Sequence, residues 1–383
     1  MPDAAELEAR LDRVRTAMRE RGLGGCLVWA RSFYDRPGPI AYLIGFLPPF
    51  PSSADAPGVV GLGQSALIVP TDGPALLLLD AISRPPTGVP AQVIRTGDMV
   101  TEVAARLRTL GATRTPWGLG GEDIVPHRVM RLLGEAIAGI DLVPVDDALM
   151  TLRRRKSTAE IEGMRRAAQV ARRGFEAAVA ALRVGAAERE VSAAGVAACV
   201  REGADFIRYF RVHAGLASAA GSRWPPATDA RIGDGDLVTM DLIGAVDGYG
   251  FDLLRTALVG HAPDEARALA HDAYAVCRQA CASIRPGGTV EALVATIRTA
   301  AAATSSAPYL GGFFGHGIGL ETLEWPYLMP GQTGTFEAGE VLCVEPGMFR
   351  TGLGGACLED EVVVREGGAQ LLSDFFQEPI VVP

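Results

Sequence analysis

The sequence DLVTMDLIGAVDGYGFDLLRTALVG, residues 236–260, predicts a β-hairpin around which the chain's chemistry is arranged. Two apolar, β-prone runs meet at Asp247-Gly248, a dipeptide typical of tight hairpin turns. Each run carries one acidic residue, Asp241 or Asp252, and a carboxylate in a buried strand needs a positive partner. The hairpin alone leaves two interpretations equally open. One is a metal ion between the strands, and the other is a turn-capping aspartate with an ion pair to Arg255.

Composition narrows the kind of protein. At 383 residues the chain predicts two domains, and its net charge of −9 argues against nucleic acid or an anionic membrane as a partner. Residues 1–22 predict a charged amphipathic helix rather than a signal peptide, and no apolar run is long enough to span a bilayer. The six cysteines form no CxxC pair, which favours free thiols in a reducing compartment. We therefore expect a cytoplasmic protein that acts on a small molecule.

The first 150 residues alternate helical and strand-like segments, a pattern typical of an α/β domain. This region contains few candidate catalytic groups. We expect it to be structural and to form either a wall of the pocket or a contact in a homodimer. Residues 151–383 then form the second predicted domain.

The second domain has a weak internal repeat of helix pair, hairpin, helix pair and strand pair. Ser157 and Glu160 predict a capping box that opens its first helix. An irregular stretch is expected between residue 202 and the hairpin. The later strands are predicted at 340–347 and 356–364, and they again carry acidic residues, Glu345 and Glu359. Two such halves facing each other would bring four carboxylates to one centre.

A histidine flanked by glycines, in the segment GHGIG at 315–319, lies between the two acidic pairs. Glycine permits close backbone approach to a metal. The candidate metal ligands are Asp241, Asp252, His316, Glu345 and Glu359. Charge balance favours two divalent cations over one, unless a carboxylate binds a proton instead. Oxygen-rich ligation with one imidazole suits Mn, Fe or Co, and Zn is also compatible.

Five ordered segments resemble the pita-bread metallopeptidase family, which includes Xaa-Pro aminopeptidases, prolidases, methionine aminopeptidases and creatinase. The segments are RRRKSTAEIEGMRRAA, DLIGAVDGYGFDLLRT, GHGIGLETLEWP, VEPG and LED. YLIGF at 42–46 and the predicted hairpin at 66–79 fit the N-terminal domain of the Xaa-Pro and creatinase branch. The resemblance implies an α/β N-terminal domain (1–150) and an α+β pita-bread, creatinase/aminopeptidase-like catalytic domain (151–383). It also implies a two-metal centre built from the five ligands, with Glu345 moving protons.

The sequence departs from the pattern of this family at three positions. The resemblance implies a histidine about 17 residues before Asp241, where Trp224 stands, and another at Leu323. It also implies an arginine at Cys357. The two histidines would grip the scissile carbonyl, and losing one such donor costs about 10²–10³ in rate. These departures argue against ordinary proline-peptide cleavage and leave metal binding intact.

The candidate pocket residues surround these departures. The predicted substrate-binding residues are Trp224, Arg223, Tyr249, His213, Leu323 and Trp325. Glu324 is a second catalytic candidate beside Glu345, and Arg255 is expected to support the acidic cluster through an ion pair. For Trp224 and Trp325, packing and the lining of a reshaped pocket are equally open interpretations.

Three functional hypotheses follow. The first is a two-metal hydrolase that cleaves a C–N bond in a small amino-acid-like compound. The second is an iron enzyme with the same ligands that carries out an elimination or an O₂-dependent oxidation. The third is a non-catalytic binding module, which four acidic residues in strands disfavour. We favour the hydrolase over the iron enzyme.

Overall fold

The computed structural model describes residues 2–33, 37–48, 59–220 and 224–383. The chain divides into two compact units, Met1–Arg153 and Arg154–Pro383. All six cysteines lie within the described residues and are buried free thiols, as predicted. Among the described helices, none combines the length and apolar character that a membrane span requires.

In the described part of the first unit, six strands form one mixed sheet in the order β4-β3-β2-β1-β5-β6. The elements are α1 (Ala4–Glu20), β1 (Gly25–Ala30), α2 (Gly38–Ile44), β2 (Ser65–Pro70), β3 (Leu76–Asp80), β4 (Gln92–Thr96), α3 (Met99–Thr109), β5 (Trp117–Gly120), α4 (His127–Ala136), β6 (Leu142–Pro144) and α5 (Asp146–Arg154). The predicted hairpin is confirmed, since β2 and β3 pair antiparallel across the turn at Thr71–Gly73. The helices α3 and α4 bury apolar residues in the core that the sheet shares.

The second unit begins with a helix pair packed on a sheet. Its elements are α6 (Thr158–Ala181), α7 (Glu188–Arg201), β7 (Phe206–Ala214), a 3₁₀ turn (Gly215–Ala220), β8 (Leu237–Val246) and β9 (Tyr249–Val259). The predicted capping box of α6 is confirmed, because Ser157 and Glu160 each accept the other's backbone N–H. Phe175 on α6 and Phe210 on β7 meet edge to face in the core between helix and sheet.

The organising hairpin is also confirmed. β8 and β9 pair from Leu237 opposite Leu258 to Val246 opposite Tyr249. Asp247 and Gly248 form the turn with φ of 51° and 80°, the left-handed pair that a two-residue hairpin turn of this kind requires.

A second helix pair and sheet complete the unit. The elements are α8 (Asp264–Ser283), α9 (Val290–Ala302), a 3₁₀ turn (Ala307–Tyr309), β10 (Gly315–Gly317), β11 (Glu324–Tyr327), β12 (Val341–Val344), β13 (Met348–Arg350), β14 (Gly354–Ala356), β15 (Asp360–Arg365), β16 (Gly368–Leu371) and β17 (Ile380–Val382). Among described residues the order of this sheet is β11-β10-β12-β15-β16. Strand β17 instead joins the sheet of β7, β8 and β9, where it pairs with β9. The predicted repeat of helix pair and strand pair is therefore present, with more strands than expected.

Two local predictions are wrong. The stretch 206–214, expected to be irregular, is strand β7, which pairs with β8 across a bulge between Ile207 and Tyr209. The strand predicted at 356–364 is broken into β14 and β15. Between them the backbone turns to β9, because Cys357 donates to the Thr256 hydroxyl and Glu359 donates to the Leu254 carbonyl.

Candidate metal centre

The hairpin places Asp241 and Asp252 on one face as a diagonal pair. Asp241 lies opposite Leu254, and Asp252 lies opposite Ile243, two positions further along. Because side chains alternate along each strand, both carboxylates lie on the same side of the sheet. Diagonal neighbours of this kind are close enough for long side chains to contact each other. A ligand oxygen of each lies within 4.8 Å of the other and of an oxygen of Glu359.

The second sheet brings His316 to the same point. Its Nε2 atom lies 3.6 Å from Asp252 Oδ2, 3.7 Å from Glu345 Oε1 and 4.0 Å from Glu359 Oε1. The Nδ1 atom lies 2.8 Å from the Gly317 carbonyl, which leaves Nε2 to face the carboxylates. The five side chains predicted as ligands therefore converge, although more than a hundred positions separate the first from the last.

Burial and mutual repulsion shift the pKa values of these groups. Burial raises the pKa of Asp241 to about 6 and that of Glu345 to about 8, with the Arg211 guanidinium opposing both shifts. Burial and then neighbouring carboxylates hold the pKa values of Asp252 and Glu359 well above their usual range. Burial lowers the pKa of His316 to about 4, so its imidazole is neutral at physiological pH. A neutral imidazole among crowded carboxylates is the state in which histidine binds a metal.

The cluster fits a divalent cation on its own chemistry. Glu359 Oε1 is buried and has no hydrogen-bond partner among the described residues, although a buried acceptor left unpaired is costly. His316, Cys343 and Glu359 also place one ligand atom each within 4.8 Å of one another. Carboxylate oxygens with one imidazole form a donor set for Mn, Fe, Co or Zn.

A cavity of about 340 Å³ opens beside this cluster. Asp241 and Glu345 form part of its wall, and Glu345 is the most accessible of the four carboxylates, with 22% of its side chain exposed. Polar and apolar side chains share the rest of the lining, including Arg211, His213, Thr239, Leu254, Phe313, Phe349 and Cys357. The cavity therefore offers a small, partly apolar space directly against the carboxylates.

The predicted pocket residues lie in differing environments. His213 is buried and lines the cavity, with Nε2 3.5 Å from the Pro225 carbonyl. Tyr249 is buried and its hydroxyl lies 3.3 Å from Glu160 Oε1. The side chains at the two expected histidine positions are open to solvent, with Trp224 79% and Leu323 46% exposed. Arg223 lies outside the described residues.

Glu324 and Trp325 contact cations of the same unit. The Glu324 carboxylate accepts from Lys156 Nζ at 2.9 Å, and both side chains are almost fully buried. The Arg154 guanidinium lies 4.3 Å from the centre of the Trp325 ring. Both residues therefore make contacts that stabilise the fold, in addition to the catalytic or substrate-binding role predicted from sequence.

Arg255 contacts the backbone of the candidate ligand Glu359 rather than its carboxylate. Its Nη1 donates to the Glu359 carbonyl at 2.5 Å, and its Nη2 pairs with Asp360 Oδ1 at 2.7 Å. Asp360 was not a predicted partner. The ion pair therefore fixes the chain segment that carries Glu359.

Sequence reasoning missed two further groups at the centre. Arg211 on β7 donates to Asp241 Oδ2 at 2.7 Å, directly across the strands. Glu361 accepts from the Asp252 backbone N–H at 2.9 Å, and burial raises its pKa to about 8. The alternation of Tyr209, Arg211 and His213 is the signal that would have placed Arg211 on the face of Asp241.

Comparison with known proteins agrees with this architecture. The model of metallopeptidase family M24 matches residues 162–366. The chain is 27% identical to a Xaa-Pro dipeptidase of Pyrococcus furiosus over 82% of its own length and 89% of the relative's. It is 30% identical to the probable dipeptidase PepE of Mycobacterium tuberculosis, over 80% of this chain and 86% of that one.

Solved structures extend the likeness over the whole chain. A Xaa-Pro dipeptidase from Bacillus anthracis aligns with a TM-score of 0.84 at 25% identity, over 98% of this chain and 100% of that one. Dipeptidase PepE from Mycobacterium ulcerans aligns with a TM-score of 0.81 at 28% identity, over 100% and 99%. The predicted fold class, an α/β region followed by an α+β pita-bread region, is confirmed.

Proposed function

Because this chain belongs to metallopeptidase family M24 and is thus a metal-dependent, peptidase-like hydrolase, we propose that it hydrolyses a C–N bond in a small amino-acid-like compound. The observation that carries the proposal is the convergence of Asp241, Asp252, His316, Glu345 and Glu359 beside a small cavity. The buried Glu359 Oε1, which has no hydrogen-bond partner among the described residues, supports a cation at this cluster. Residues 151–383 are the proposed catalytic domain.

The five side chains would hold two divalent ions, which together balance four carboxylates. When bound, such ions supply Lewis acidity and lower the pKa of water. The chain's own contribution is to hold the carboxylates apart from bulk solvent and to move protons. We propose Glu345 for the second task, because it lies on the cavity wall and is the most accessible ligand. A water oxygen adds to the carbonyl carbon, the C–N bond breaks, and Glu345 carries the water's proton to the departing nitrogen.

The replaced histidines narrow the expected substrate. Leu323 has no hydrogen-bond donor, and Trp224, whose only side-chain donor is its indole N–H, is largely exposed to solvent. Loss of one such donor costs about 10²–10³ in rate. We therefore propose that Xaa-Pro dipeptides are poor substrates and that another small amide is the natural one.

Metal reconstitution tests the proposed function. Metal-free protein should release no amine from a panel of dipeptides and N-acyl amino acids. Protein loaded with Mn²⁺, Co²⁺, Fe²⁺ or Zn²⁺ in turn should hydrolyse at least one member. Glu345→Gln should abolish that activity, whereas Glu366→Gln, the same change at an exposed turn residue, should not. Full activity without metal, or turnover that requires iron and O₂, would contradict hydrolysis.

The native metal and the assembly complete the proposal. We propose Mn, Fe or Co ahead of Zn, and a homodimer in solution. Elemental analysis of protein purified without added metal tests the first, and light scattering coupled to gel filtration tests the second.

A further inference from the structure

Arg211 places a cation inside the cavity that adjoins the carboxylate cluster. It sits on β7 directly opposite Asp241, and its Nη1 donates to Asp241 Oδ2 at 2.7 Å. The guanidinium lies 3.8 Å from the centre of the Tyr209 ring, which fixes its plane. Only 19% of the side chain is exposed. The cation is therefore held in a defined orientation with little water around it.

Charge balance leaves this cation in excess once the cluster is loaded. The two carboxylates that line the cavity, Asp241 and Glu345, are both candidate metal ligands, so loading the cluster leaves Arg211 without a carboxylate of its own in this cavity. Asp241 would share its negative charge between a metal ion and the guanidinium. An anionic group entering the cavity restores neutrality, and this step rests on the two-metal centre of the proposed function.

Hydrogen bonding points the same way. Arg211 Nε is buried and has no acceptor among the described residues. A guanidinium presents five N–H donors in a planar fork that matches a carboxylate with two parallel bonds. Leu254, Phe313 and Phe349 supply apolar wall in the same cavity. The lining therefore combines one oriented cation with room for a short apolar portion.

We propose that Arg211 binds a free carboxylate of the substrate and makes the enzyme selective for acidic, amino-acid-like compounds over their neutral amides. Arg211 is then a specificity-determining residue for the proposed hydrolysis. The rival role is purely structural, in which the guanidinium only holds Asp241 in place. A structural role would affect acids and amides alike, so the ratio between them separates the two.

Calorimetric titration of Co²⁺-loaded protein measures that ratio without turnover. The probes are alanine, proline and N-acetylalanine, each as the free acid and as the carboxamide. Wild type should bind at least one acid about 10- to 100-fold more tightly than its amide. Arg211→Gln should remove the preference, and Arg211→Lys should retain part of it, because lysine keeps the charge and loses the fork.

The matched control is Arg208→Gln, which removes the same charge from the exposed bulge position of the same strand. It should leave the ratio unchanged. Cobalt content, measured in every variant, shows that the cluster is still loaded. A wild type that binds none of the acids better than its amide, or an Arg211→Gln variant that keeps the full preference, would overturn the proposal. Absence of amide hydrolysis would count against the proposed function alone, since the ratio is measured by binding.

Discussion

Two adjacent residues, Glu359 and Asp360, show opposite ways of burying a carboxylate. Asp360 accepts from Arg255, from the Ser373 hydroxyl at 2.7 Å and from the Gln377 amide at 2.9 Å. Glu359 belongs instead to the carboxylate cluster, and its Oε1 has no hydrogen-bond partner among the described residues. The chain satisfies one carboxylate with its own donors, and we propose that a metal ion satisfies the other. Buried acids are thus structural or functional according to whether the protein supplies the partner.

The largest effect on stability should come from removing Arg255, the counter-ion of Asp360. Arg255→Met leaves Asp360 buried without its counter-ion and removes a donor to the Glu359 carbonyl. We expect a loss of about 3–5 kcal/mol in the free energy of unfolding, with and without metal. Urea denaturation of both forms measures it. A loss below about 1 kcal/mol would show that solvent or other donors replace the guanidinium.

For a change at Glu359, the direction of the shift in melting temperature should depend on whether metal is bound. Glu359→Gln removes a buried acid whose ionised form would repel Asp252 and Glu345, so the metal-free protein should melt at a higher temperature than wild type. The same change removes a proposed metal ligand, and we expect metal affinity to fall by more than about 100-fold, beyond the loss typical of outer-shell changes. Paired melting curves with and without Co²⁺ test both statements. A variant that melts lower in both forms would place Glu359 with Asp360 as a structural acid.

The stability of the metal-free protein should also depend on pH, because the carboxylates of the cluster have raised pKa values. The folded metal-free protein holds protons on Asp241 and Glu345, whose pKa values are raised to about 6 and about 8, while the unfolded chain releases them near 4. Between those values the folded state binds more protons, so stability of the metal-free protein should fall as pH rises from about 4 to 8. Metal affinity should rise over the same range, because protons compete for the ligands.

Thermal unfolding in chelator across this pH range measures the slope, and Glu345→Gln should flatten it most above pH 6. A melting temperature of metal-free wild type that rises with pH would contradict the unpaired character of the cluster.

Local sequence signals were enough for much of this architecture. The hairpin turn depends on Asp247-Gly248 alone, and the α6 capping box depends on Ser157 and Glu160, so both could be predicted. The carboxylates and His316 stood out because charged groups in apolar strands need an explanation. The resemblance to the pita-bread family then supplied the way the two halves combine.

The register between paired strands could not be predicted from the sequence. The bulge between Ile207 and Tyr209 breaks the two-residue alternation and hides the start of β7, although the alternation resumes at Tyr209, Arg211 and His213. The break between β14 and β15 depends on the Thr256 side chain, which bonds a segment about a hundred positions away. The Arg255–Asp360 pair likewise joins residues whose proximity only the paired sheets establish.

The smallest effect should come from an ion pair that water can replace. Arg166 Nη2 lies 3.2 Å from Asp247 Oδ2 at the hairpin turn, and each side chain is about half exposed. Solvent screens the attraction, so Arg166→Ala should cost less than about 0.5 kcal/mol in urea denaturation. Both are arginine–aspartate pairs, but Arg255–Asp360 is buried, and Arg255 also donates to the Glu359 and Ser373 carbonyls. If Arg166→Ala cost as much as Arg255→Met, burial of the Arg255–Asp360 pair could not explain the loss expected for Arg255→Met.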